Sequence, residues 1–117
     1  MSVIGNILVD LDGTLAQYGV WKGISHIGEP IIPMVTRVRR WLVAGRSVVI
    51  FTARVGPQKD VNDIIRAREA IAKWCLEQFG QELPVTATKD FSTTEIWDDR
   101  AIGVERNTGR RLDGRQD

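Results

Sequence analysis

Cysteine is almost missing from this chain. Cys75 stands alone among 117 residues, so an intramolecular disulfide is excluded and a thiolate-based zinc cluster lacks ligands. A single Cys at an apolar helix position is expected to be a buried, inert core residue. No run approaches the roughly 20 apolar residues of a membrane-spanning helix, and no basic segment leads into an apolar stretch at the N-terminus. The expectation is a soluble, cytoplasmic protein with no membrane partner. A charge excess of either sign is also absent: sixteen Lys and Arg against fifteen Asp and Glu leave a net charge of +1. Tight binding to long polyanions does not follow from such a balance. No internal repeat or low-complexity block is visible, and aromatics are too few in the surface-facing segments to mark an interface, so oligomeric state stays open.

What is present alternates regularly. Residues 3–10 read as a short buried strand. The stretch 16–33 is rich in Gly, broken by two prolines and without helical period, which reads as a flap or hairpin. Pro33 suits a helix's first turn, and Val35, Val38, Trp41 and Leu42 recur at helical spacing until Gly45. Ser47 to Phe51 is a continuously apolar, β-branched strand of the kind found inside parallel sheets. Gly56-Pro57 then breaks the chain, and Asp60 is placed to cap a helix. Val61, Ile64, Ile65, Ile71, Ala72, Cys75 and Phe79 form that helix's apolar stripe, and Gly80 ends it. Residues 84–88 and 95–98 read as two more strands, with 101–104 a candidate fifth. The pattern predicts an α/β fold: a three-layer α/β/α, Rossmann-like domain over residues 1–105 with a mostly parallel sheet. Residues 106–117, with four Arg, two Asp and two Gly, are expected to form a flexible tail, the other reading being an arm that contacts phosphate.

The densest chemistry follows the first strand. In Val9-Asp10-Leu11-Asp12-Gly13-Thr14-Leu15, two carboxylates stand one residue apart where the strand ends. A turn begun at Gly13 lets both approach one small volume, and a cation between them offsets their repulsion. A structural turn or a simple metal site is the plainer alternative. Asp10-Leu11-Asp12-Gly13-Thr14-Leu15 resembles the first signature of the haloacid dehalogenase superfamily, most of whose members are Mg²⁺-dependent phosphatases with an aspartyl-phosphate intermediate. Three further signatures follow in the superfamily's order. Val48-Val49-Ile50-Phe51-Thr52 supplies a Thr, Thr86-Ala87-Thr88-Lys89-Asp90 a Lys, and Glu95-Ile96-Trp97-Asp98-Asp99 an acidic pair. The resemblance implies a sheet whose first strand is inner, flanked by the second and fourth. Too few residues separate the signatures for an inserted cap domain.

By this resemblance Asp10 is the nucleophile and Asp12 the general acid and base, an assignment that favours hydrolysis over dehalogenation. Mg²⁺ is held by the Asp10 carboxylate, the main-chain oxygen of Asp12 and the acidic pair, with Asp99 favoured as direct ligand and Asp98 acting through water or by orienting Lys89. Thr52 donates to a phosphoryl oxygen and Lys89 offsets charge. Arg54 and Arg100 either grip a second phosphate or carboxylate, or form surface ion pairs with nearby acids.

Tyr18, Trp21, Lys22 and His26 are the flap's candidates for substrate contact. Trp21 either stacks on a nucleobase or seals the flap to the sheet edge. A mononucleotide or other small organic phosphate is the expected substrate, with 3′ or 5′ phosphates on nucleic-acid ends second. A reading from another class is a module that captures a phosphorylated ligand or nucleotide without turning it over.

Overall fold

Four parallel strands joined by crossovers organise residues 5–116, the part of the chain that the computed structural model describes. The strands are β1 (Asn6–Asp10), β2 (Ser47–Phe51), β3 (Val85–Thr86) and β4 (Thr93–Trp97), in the order β3-β2-β1-β4. Two helices, α1 (Ile32–Val43) and α2 (Val61–Phe79), connect β1 to β2 and β2 to β3. The chain is therefore α/β with an all-parallel sheet, and β1 lies between β2 and β4, as expected. Val3 and Ile4, the expected start of β1, fall outside the described residues. None of the described helices is long and apolar enough to cross a membrane.

Local signals explain the element ends. Pro33 sits in the first turn of α1, where its missing donor costs nothing. The Asp60 side chain accepts from the Asn62 amide at 2.7 Å and caps α2, and Gly80 closes it in the left-handed region at φ 73°. The α2 stripe is rotated from the expected one: Ala67, Ile71, Trp74 and Cys75 are buried, whereas Val61 and Ile65 are exposed. Trp74 faces inward because its indole N–H finds the Gly28 carbonyl at 3.1 Å, which lets a large ring enter the core.

Residues paired across parallel strands share a face, so Ile7 and Val48, and Val9 and Ile50, point together. They form one core with Val35 and Val38 of α1 and Ile71, Trp74 and Cys75 of α2. Both helices thus cover one face, as two successive right-handed crossovers in the same direction require. The layer expected on the other face has no helix among the described residues. The β3 to β4 connection, residues 87–92, has to pass β2 and β1 to reach the far edge, and six residues leave no length for one.

The strands after α2 differ in extent from their sequence-based bounds. β3 keeps only Val85 and Thr86, while β4 starts at Thr93 and stops at Trp97, so Asp98 and Asp99 lie just beyond its end. The candidate fifth strand does not form. Val104 makes a single antiparallel bridge to Arg111, and the segment turns back on itself with Glu105 N–H to Arg110 O at 2.6 Å and Leu112 N–H to Gly103 O at 2.9 Å. Glu105–Arg110 and Arg111–Asp113 ion pairs accompany the turn.

Candidate functional site

Asp10 ends β1 with β2 and β4 on either side, so the loops from three strands converge on its carboxylate. Asp98 and Asp99 follow β4, and oxygens of Asp10, Asp98 and Asp99 lie within 4.8 Å of one another. Gly13 makes this approach feasible. It adopts φ 89°, and a Cβ there would stand 2.7 Å from an Asp99 carboxylate oxygen, so both backbone and space call for glycine. Thr14 joins the acids: its hydroxyl reaches Asp10 Oδ2 at 3.3 Å and Asp99 Oδ1 at 3.2 Å and accepts from the Asp99 amide at 3.0 Å.

Burial pushes the Asp10 carboxyl up to about 8, helped by its hydrogen bond with Asp99 and the charges of Asp98 and Asp99. Asp99 moves the other way, chiefly because it accepts that hydrogen bond from Asp10. Without a cation, the proton of the pair belongs on Asp10. Three hard carboxylates crowded in this way suit Mg²⁺, whose charge would relieve the repulsion that protonation otherwise removes. Both members of the acidic pair are in the cluster, so the geometry includes Asp98 as well as the favoured Asp99.

A cavity of about 340 Å³ opens on the acids and is lined also by Thr52, Trp21, Lys59 and Arg100. Thr52, 4% exposed, accepts from the Arg54 amide at 3.1 Å in the turn after β2. Its hydroxyl proton is what it can offer a ligand. Arg54, also 4% exposed, sets its guanidinium on Asp12, with Nε to Oδ2 and Nη2 to Oδ1 both at 2.9 Å. The same guanidinium donates to Ile24 O at 2.9 Å and lies 4.8 Å from the Trp21 ring centre. Of the two roles expected for Arg54, the ion pair is the one formed, and it is buried rather than on the surface. It occupies both oxygens of Asp12.

The Asp12–Arg54 pair and Tyr18 form a wall shared with a second cavity of about 470 Å³, which holds Lys22, His26 and Glu29 of the flap. This flap closes at its base by antiparallel contacts, Gln17 N–H to Glu29 O at 2.8 Å and Ile31 N–H to Leu15 O at 2.7 Å. Gly28 permits them, since a Cβ there would fall 2.0 Å from Gln17 O.

The structure thus brings together Asp10, Asp12, Thr52, Asp98, Asp99, Arg54, Trp21 and Arg100, and sets Lys22 in the neighbouring cavity. Lys89 is not brought in. It is exposed on the short β3 to β4 connection and lines a separate groove with Phe91 and Thr93 to Ile96. The cation that does line the acidic cavity, beside Arg54 and Arg100, is Lys59, which sequence reasoning missed because it stands in the turn before α2. Thr14 was missed too, although its place four residues after Asp10 within the first signature was a readable signal. No family model, curated protein or solved structure matches the chain.

Proposed function

We propose that this protein is a Mg²⁺-dependent phosphomonoester hydrolase of the haloacid dehalogenase type, acting on a nucleotide or other small organic phosphate. The observation that carries the reading is the convergence of Asp10, Asp98 and Asp99 beside the buried Thr52 hydroxyl at the end of an inner parallel strand. The strand order supports it, while the superfamily's second helical layer has no counterpart among the described residues. Asp10, Asp98, Asp99 and the main-chain oxygen of Asp12 would hold Mg²⁺, which supplies charge neutralisation at the phosphoryl oxygens.

The Asp10 carboxylate attacks phosphorus and forms an acyl phosphate as the ester oxygen leaves. Asp12 gives that oxygen a proton, then takes one from the water that attacks the acyl phosphate, releasing inorganic phosphate and restoring Asp10. Thr52 donates to a phosphoryl oxygen and orients the group for in-line displacement. For this exchange Asp12 has to leave Arg54, so substrate entry includes a rotation of the Asp12 side chain. Tyr18 borders both cavities, which gives the organic part of the substrate a path towards Lys22 and His26.

The engagement of both Asp12 oxygens by Arg54 favours one second reading, a module that holds a phosphorylated ligand without turning it over. Phosphate release from p-nitrophenyl phosphate, mononucleotides, sugar phosphates and end-phosphorylated oligonucleotides, with Mg²⁺ or chelator, separates the two. Hydrolysis predicts Mg²⁺-dependent release that falls by roughly 10³-fold or more in Asp10→Asn. Retention of a ligand at one per chain with no release would establish the module, and oligonucleotides leading the panel would move the substrate to nucleic-acid ends.

A further inference from the structure

We propose that Lys59, seated against the Trp21 ring, is the cation that meets the phosphoryl group in the acidic cavity, in place of Lys89. The inference rests on the phosphomonoester reading and names a residue of the same site. Lys59 lines the cavity that contains Asp10 and Thr52, whereas Lys89 lines the groove along β4.

Anchorage within the cavity singles Lys59 out. Arg54 is matched by Asp12 through two hydrogen bonds, and Arg100, exposed beside Asp99, has neither a side-chain ion pair nor an aromatic partner among the described residues. Lys59 instead faces an aromatic ring, with Nζ 5.2 Å from the Trp21 centre. A cation–π contact holds an ammonium without neutralising it, so the charge stays available to a phosphate dianion. The backbone beneath it is anchored: the Lys59 amide donates to Gly56 O at 3.1 Å, and the next residue caps α2. An ammonium is a compact point charge on a flexible stem and can follow a phosphoryl oxygen through the reaction.

The arrangement also gives Trp21 a role other than base stacking. Its ring already receives Arg54 and Lys59, so Trp21 is a positioning residue that ties the flap to the cation. Its removal should then weaken binding of inorganic phosphate as much as binding of a nucleotide, and Trp21→Phe should restore most of that loss.

The test is calorimetric titration of inorganic phosphate in the presence of Mg²⁺, beside p-nitrophenyl phosphate turnover, on wild type, Lys59→Met, Lys59→Arg, Lys89→Met and Asp10→Asn. The expected result is that Lys59→Met weakens phosphate binding and lowers kcat/KM by about tenfold or more. Lys59→Arg recovers part of both, and Lys89→Met stays within about twofold of wild type. Wild-type turnover that Asp10→Asn abolishes while Lys59→Met leaves it intact overturns the Lys59 assignment alone, as does a large loss in Lys89→Met. Phosphate binding that depends on Lys59 with no wild-type turnover overturns the hydrolase reading alone. No binding and no turnover in wild type overturns both.

Discussion

Residues 5–83 and residues 84–116 are built on different principles. All the buried side chains among the described residues lie in the first region, from Ile7 to Leu83, and none lies in the second. The first region holds the two inner strands, β1 and β2, with two helices over a large apolar cluster and a smaller one at Ile24, Val55 and Ala67. The second is held by a short ladder from β3 to β2 and a longer one from β4 to β1, by Trp97 against Trp41 with ring centres 5.1 Å apart, and by the Arg46–Glu95 ion pair at 2.6 Å. Its apolar side chains Ile102, Val104 and Leu112 stay more than half exposed. The acidic cavity sits on the seam, with Asp10, Asp12 and Thr52 from one region and Asp98 and Asp99 from the other. A cation at the seam would join the weakly packed region to the strongly packed one.

The largest break should come from the core of the first region. Ile71→Ala removes a fully buried side chain between α2 and the sheet and should cost about 4 kcal/mol, measured by urea unfolding. A loss below about 1 kcal/mol would mean that this core repacks and is no more specific than the second region.

Arg54→Ala should follow, at about 3 kcal/mol, because it strands the partly buried Asp12 carboxylate and empties two flap carbonyls of their donor. Unfolding curves that match wild type would show the wall between the two cavities to be dispensable.

The seam itself answers to pH and metal. The Asp10 pKa is raised above its unfolded value, so from about pH 4 to about pH 8 the folded state holds a proton that the unfolded state has lost. Stability in chelator should therefore fall as pH rises through that window. Thermal unfolding at pH 5.5 and pH 8 should show a lower Tm at pH 8 in chelator, by some 4 °C or more per kcal/mol lost. Mg²⁺ should shrink that drop by taking the proton's place. An unchanged drop at saturating Mg²⁺ would argue against the acids as its ligands.

The smallest effect belongs to the second region's surface. Leu112→Ala, at a side chain 69% exposed, should change stability by no more than about 0.5 kcal/mol. A loss comparable with that of Ile71→Ala would erase the distinction between the regions.

Much of the first region was legible in advance for a local reason. Ser47 to Phe51, the Pro33 start, the Asp60 cap and the Gly80 stop are each written in residues that touch their own neighbours, and those contacts decide the element. The paired carboxylates at the end of β1 were legible in the same way, since strand, glycine and acids are consecutive. The buried stripe of α2, Ala67, Ile71, Trp74 and Cys75, is not legible in hydrophobic spacing alone, because Trp74 joins it with its indole N–H paired to the distant Gly28 carbonyl.

The sequence by itself determined the alternation of strands and helices, and with it a parallel sheet that ends in an aspartate-rich turn. Tertiary structure alone decided which cations attend those aspartates. Arg54 reaches Asp12 across 42 positions of sequence, and Lys59 enters the cavity while Lys89 does not. The physical reason is the path of the chain. Hydrophobic period and caps are set over a few residues, whereas the side chain that arrives at a distant carboxylate depends on where a crossover passes, and six residues between β3 and β4 leave that path little choice.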